Sequence, residues 1–149
     1  MGLLAAVAVT QAANVSLTSS DPSGTSSFNS AGRWSNGAPP AATNDYFTSS
    51  YILRSPANSS SYTFAGGSLR IDAGGRFLMK GTGGQTVTVN NLIMNGGLAD
   101  YANVNTDYNS QTLAGNITLN AGTTNYFGAL SGSSGSETLI ITAPIGGSG

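Results

Sequence analysis

The chain has 149 residues, a net charge of −1 and only 7% charged residues, far below the usual quarter. Five Lys and Arg spread over that length cannot build the clustered cations of a phosphate-binding face, which excludes nucleic acid as a partner. Cys and His are both absent, so Cys/His zinc sites, thiol catalysis, disulfides and a Ser-His-Asp triad are excluded as well.

Residues 1–13 read as a signal peptide. Leu3 to Val9 is an apolar core too short to span a bilayer, and Thr10-Gln11-Ala12 places small residues where a signal peptidase reads. Only Met1-Gly2 precede the core, so the basic leader segment is missing and the start is expected to be late.

Residues 14–61 are expected to form an irregular N-terminal cap. Asn14 to Leu17 alternates like a strand, and Thr18 to Asn44 is rich in Ser, Gly, Pro and Asn. This stretch holds the single Trp, Trp34, beside an Asn-Gly turn and Pro39-Pro40, which forbid a helix. Asp45 to Arg54 is the most aromatic stretch and reads as strand. A solenoid ends in unpaired backbone above an apolar core, and Trp, Tyr, Phe and proline turns suit a cover for that end.

From Tyr62 onward the chain repeats. Leu69-Arg70-Ile71-Asp72-Ala73-Gly74-Gly75 returns as Leu92-Ile93-Met94-Asn95-Gly96-Gly97 and again as Ile117-Thr118-Leu119-Asn120-Ala121-Gly122, at steps of 23 and 25 residues. Each copy is a short strand with alternate side chains buried, stopped by an Asx-Gly turn, at the period of a solenoid rung. A smaller strand precedes each copy: Tyr62-Thr63-Phe64, Thr86-Val87-Thr88-Val89 and Gln111-Thr112-Leu113. Phe64, Val89 and Leu113 read as equivalent positions, and residues 65–68, 90–91 and 114–116 as corners of unequal length.

Phe77-Leu78-Met79, Leu98-Ala99-Asp100-Tyr101 and Tyr126-Phe127-Gly128-Ala129-Leu130 supply a third face. A fourth rung opens at Glu137, where two alignments compete: Leu139 to Thr142 on the main repeat, or Ile141 opposite Leu113. The sequence stops at Gly146-Gly147-Ser148-Gly149, inside a loop, and residues 62–149 therefore read as the rungs of a truncated fragment.

These patterns predict an all-β fold, a right-handed parallel β-helix of about three to four rungs, with an antiparallel β-sandwich as the alternative. Asp72, Asn95 and Asn120 are expected to stack along one edge as turn residues rather than as a cation ladder, because one carboxylate among amides makes a poor calcium site. No metal and no cofactor are expected. Asp100 and Asp107 are the one pair of loop acids that could converge on a glycosidic bond as acid and base, although nothing in the spacing places them so. Gly81-Thr82-Gly83-Gly84 lacks the Lys-Ser/Thr of a phosphate cradle. Thr86-Val87-Thr88 lacks the rung-to-rung repetition that an ice-binding plane needs.

Phe28-Asn29-Ser30-Ala31-Gly32-Arg33-Trp34-Ser35-Asn36-Gly37-Ala38-Pro39, Tyr62-Thr63-Phe64-Ala65-Gly66-Gly67-Ser68-Leu69 and Leu113-Ala114-Gly115-Asn116-Ile117-Thr118-Leu119 give the chain a further character. On these it resembles the N-terminal part of large secreted bacterial proteins carrying autotransporter-associated β-strand repeats. Ala143-Pro144-Ile145-Gly146-Gly147-Ser148-Gly149 looks like the Ile-x-Gly-x-Gly loop that opens such repeats. The resemblance implies a β-helical passenger at the cell surface and brings no agreed catalytic residues; the C-terminal barrel or sorting tail of that family is not in this sequence.

The expected function is that of a non-enzymatic secreted or surface structural protein, a stalk or adhesin fragment. Its expected partners are surface glycans or other copies of itself, and its membrane link lies through a missing C-terminal region. The alternative is a carbohydrate-binding module with Trp34 and Tyr46 or Tyr51 as stacking surfaces; a polysaccharide-cleaving enzyme comes third.

Overall fold

The computed structural model describes residues 11–102, 110–130 and 137–147. In chain order the strands are β1 (Ala13–Ser16), β2 (Asn44–Phe47), β3 (Ile52–Arg54), β4 (Tyr62–Thr63), β5 (Ser68–Asp72), β6 (Arg76–Met79), β7 (Thr86–Asn95), β8 (Leu98–Ala102), β9 (Ser110–Leu119), β10 (Tyr126–Leu130), β11 (Thr138–Ile141) and β12 (Ile145–Gly147). Among the described residues there is no helix.

The protein is a parallel β-solenoid of about three turns. One sheet runs β1-β2-β5-β7-β9-β11, with β4 joined to β7 and β12 to β9; the other runs β10-β8-β6-β3. All of these named pairings are parallel, which rules out the antiparallel sandwich. Parallel strands need crossovers, and here the crossover is the remainder of each turn of the coil.

The main repeat stacks as its spacing requires: Leu69 opposite Leu92, Ile71 opposite Met94 and Asp72 opposite Asn95, then Leu92 opposite Ile117. The inward side chains Leu69, Ile71, Leu92 and Met94 are wholly buried, and Ile117 is nearly so. Burying such a side chain stabilises by about 1.5–3 kcal/mol, so a column of them outweighs anything the sparse charges contribute.

Two strands are longer than the repeats suggest. β7 and β9 each run through a corner, and β7 bulges between Val89 and Leu92, where Asn90 and Asn91 are exposed. The small strand's register also differs from the expected one. Leu113 lies opposite Val87, two residues from Val89, whose partner is Gly115. A shift of two preserves the inward face, so the hydrophobic pattern alone cannot distinguish the two registers. Backbone proximity does. Gly115 has φ +110, and a Cβ there would stand 1.9 Å from the Val89 carbonyl oxygen. The fourth rung takes the longer alignment, with Ile141 opposite Leu113 and Ile145 opposite Ile117.

The coil also begins earlier than Tyr62. Within the stretch read as cap, Tyr46 lies opposite Leu69 and Leu53 opposite Phe77, in register with the later rungs. What closes the N-terminal end is the loop between β1 and β2. It pairs Leu17 with Trp34 and sends the Ser35 amide to the Ser16 carbonyl at 2.9 Å, covering the outer edge of β1. Phe28 enters the column, stacked on Phe77 at 5.5 Å and tilted on Phe64 at 5.2 Å; Trp34 meets Tyr46 edge-on at 4.8 Å. At the other end, Tyr126 and Leu130 of β10 and Ile140 and Ile145 of β11 and β12 are exposed.

Because Trp34 is 3% exposed within this aromatic cluster, Trp34→Ala should cost about 3–5 kcal/mol, read as a lowered urea midpoint with little change in slope. A cost below about 0.5 kcal/mol would show that the loop does not close the column.

Candidate functional site

Asp72, Asn95 and Asn120 form a ladder along one corner. Asn120 Nδ2 donates to Asn95 Oδ1 at 2.9 Å, and Asn95 Nδ2 donates to Asp72 Oδ1 at 3.1 Å. The glycines that follow, Gly74, Gly96 and Gly122, have φ of +77, +89 and +72, so the corner is an Asx-Gly turn repeated on three rungs. Asp72 also receives the Arg70 Nε at 2.6 Å and the Ser49 amide at 3.1 Å. A carboxylate already surrounded by donors has little left for a cation, which favours the turn over the cation ladder. Among the described residues no three His, Cys, Asp or Glu gather as a metal site would need.

Of the two candidate acids, Asp100 alone lies among the described residues. Asp100 is 1% exposed and held by Arg76 through two bonds, Nε to Oδ1 at 2.8 Å and Nη2 to Oδ2 at 2.6 Å. This bidentate clamp occupies both oxygens and holds Asp100 as the buried partner of Arg76. Asp107 lies outside the described residues.

Further along the same rungs, polar groups sit inside. Gln85 and Gln111 occupy equivalent inward positions, and their amide oxygens both face Gly81, where a Cβ would meet them at 2.4 and 3.3 Å. Gln85 is satisfied by its own loop, through the Gly83 amide and the Thr82 hydroxyl. Gln111 Oε1 and the Tyr101 hydroxyl are buried without a hydrogen-bond partner. Burial, and then the Glu137 charge, push the Tyr101 hydroxyl above its ordinary pKa.

The aromatic platforms foreseen for sugar stacking are not surfaces. Trp34 and Tyr46 are 3% and 0% exposed, with the Trp34 ring nitrogen donating to the Ser27 carbonyl at 2.6 Å. Tyr51 is half-buried and packs against the core. A lone Trp beside an Asn-Gly turn is here a core residue, because the open end of the column is the largest apolar area available to it.

A cleft of about 530 Å³ lies between the cap loop, the turn after β3 and the end of β6. Its walls include Arg54, Lys80, Asn58, Tyr62, Ser26 and Asn29, and among the described residues no acid lines it. Asp21 organises one wall from behind: its carboxylate accepts the Ser27 amide (2.8 Å), the Ser27 hydroxyl (2.5 Å) and the Arg54 amide (3.1 Å), while the Arg54 Nε donates to its carbonyl at 3.2 Å. Among the described residues, Arg54 is paired with no carboxylate, and its terminal nitrogens have no hydrogen-bond acceptor. Burial, then the neighbouring Arg54 charge, hold the Lys80 amine below its ordinary value, with Glu137 pulling the other way.

Sequence reasoning missed this cleft. The available signal was the match between Ile52-Leu53-Arg54 and Arg76-Phe77-Leu78, which puts Arg54 and Lys80 near the ends of adjacent strands in one sheet.

No protein-family model, curated protein or solved structure matches the chain. No helix among the described residues is long and apolar enough to cross a membrane.

Two measurements probe the polar corners. Asn95→Asp replaces the amide that donates to Asp72 with a second carboxylate, so the two charges repel across the ladder. The variant should therefore lose about 1–3 kcal/mol at pH 7 relative to the parent, a deficit that fades as pH falls through about 4. A pH-independent deficit would exclude the contact. Tyr101→Phe removes a buried hydroxyl without a partner. It should be neutral or stabilising by up to about 1 kcal/mol at pH 7. A phenol with a raised folded pKa loses its stabilising contribution as pH climbs past the ordinary tyrosine value, so the variant should resist alkaline unfolding better than the parent.

Proposed function

We propose that the chain is a non-enzymatic structural element, a segment of a secreted or cell-surface β-solenoid stalk or adhesin. The observation that carries this reading is the rung-on-rung register from β2 to β9, clamped on the outside by the Asp72–Asn95–Asn120 ladder. Such a column resists bending and shear, because sliding one rung past its neighbour breaks two parallel sheets and the ladder together. The polar exterior, rich in Ser, Thr and Asn, suits many weak contacts at a surface rather than one deep site. The resemblance to autotransporter-associated repeat proteins points to the same setting, and the apolar leader at residues 3–9 agrees with export.

The reading is tested on cells that produce the protein in its native context. Antibody added to intact cells, or the culture supernatant, should contain the chain. Confinement to the cytosol would overturn the proposal. So would release of reducing ends from a polysaccharide by the purified chain, abolished by Asp100→Asn.

A further inference from the structure

We infer that the cleft between the cap and the second sheet binds one acidic sugar unit, a hexuronate or sulfated hexose, with the Arg54 guanidinium as its anion fork. This site is independent of the scaffold reading: a stalk without it would still be a stalk.

Three features point the same way. First, among the described residues the cleft is lined by two cations and by no acid. Arg54 is positioned rather than loose. Its Nε is tied to the Asp21 carbonyl at 3.2 Å, its amide to the Asp21 carboxylate and its carbonyl to the Ser26 hydroxyl at 2.6 Å, so the terminal nitrogens are held toward the cleft at small entropic cost. A planar guanidinium with free terminal nitrogens matches the two oxygens of a carboxylate or sulfate. Lys80 lies in the same wall and adds to the positive potential there.

Second, the remaining lining suits a polyol. Asn58 Nδ2 donates to the Tyr62 hydroxyl at 2.6 Å, which leaves the phenolic proton available to an incoming oxygen. Ser26 and Asn29 add hydroxyl and amide groups, while Pro56, Ala57 and the Tyr62 ring offer an apolar side for the C–H face of a sugar.

Third, the size fits. At about 530 Å³ the cleft is within the range of small-molecule sites and much larger than an inorganic anion requires.

Amide chemical-shift titration of the whole chain at low ionic strength tests this, with sodium glucuronate, glucose and sodium sulfate as separate probes. Glucuronate should give saturable shifts at Arg54, Ser55, Asn58 and Lys80, with glucose at least tenfold weaker. Arg54→Gln should weaken glucuronate at least tenfold, Arg54→Lys should fall between, and Tyr62→Phe, which removes only a hydroxyl, should weaken it several-fold. Spectral dispersion reports whether each variant is folded. Equal binding of glucose, sulfate competing as strongly as glucuronate binds, unchanged affinity in Arg54→Gln and Tyr62→Phe, or no saturable shift up to about 10 mM would each overturn the inference.

Discussion

A parallel strand must satisfy its backbone on both sides, and in this molecule the partner on each side is the same segment one turn earlier or later. That requirement makes the inward side chain of each rung a neighbour of its equivalent. Leu69 sits under Leu92 and Leu92 under Ile117, and none of the three can change size without the adjacent rungs adjusting. The polar exterior follows from the same geometry: every second residue points outward, where hydroxyls and amides hold water in place of the charges this chain lacks.

Closure of the column follows from that stacking. Repeated rungs leave a bare apolar end, and the cap fills it with Phe28 and Trp34 while its backbone covers the edge of β1. The cap is therefore rigid enough to serve as one wall of a cleft. Asp21, buried and satisfied by neutral donors, is the joint between cap and rung. It keeps its carboxylate away from Arg54's terminal nitrogens, and this choice of partner leaves the guanidinium fork unmatched.

Polar groups stacked along the coil show where the same geometry is costly. The Asx ladder runs in one direction along the stack: Asn120 donates to Asn95, and Asn95 donates to the Asp72 carboxylate. The Gln85–Gln111 step repeats the residue type without repeating that pattern: Gln85 folds its bonds back on its own loop and leaves Gln111 Oε1 unmatched. Equivalent residues need not have equivalent hydrogen bonds, since the corners beside them differ in length.

Periodicity determined much of this molecule by itself. The stacking of residues 72, 95 and 120, the third face from Phe77 to Leu130 and the inward phase of nearly all rung strands were legible, because side chains alternate and rungs repeat at steps of 23 to 25 residues. Where that signal is degenerate, only the tertiary structure decided. A two-residue slip leaves the inward face unchanged, so the partner of Leu113 was set by backbone contact at Gly115. An aromatic residue reads alike as platform or plug, and Trp34 became a plug because the column end lay beside it. The cleft was illegible for a related reason: Arg54, Lys80 and Tyr62 are separated along the chain by corners, and their meeting depends on where each turn of the coil brings the next.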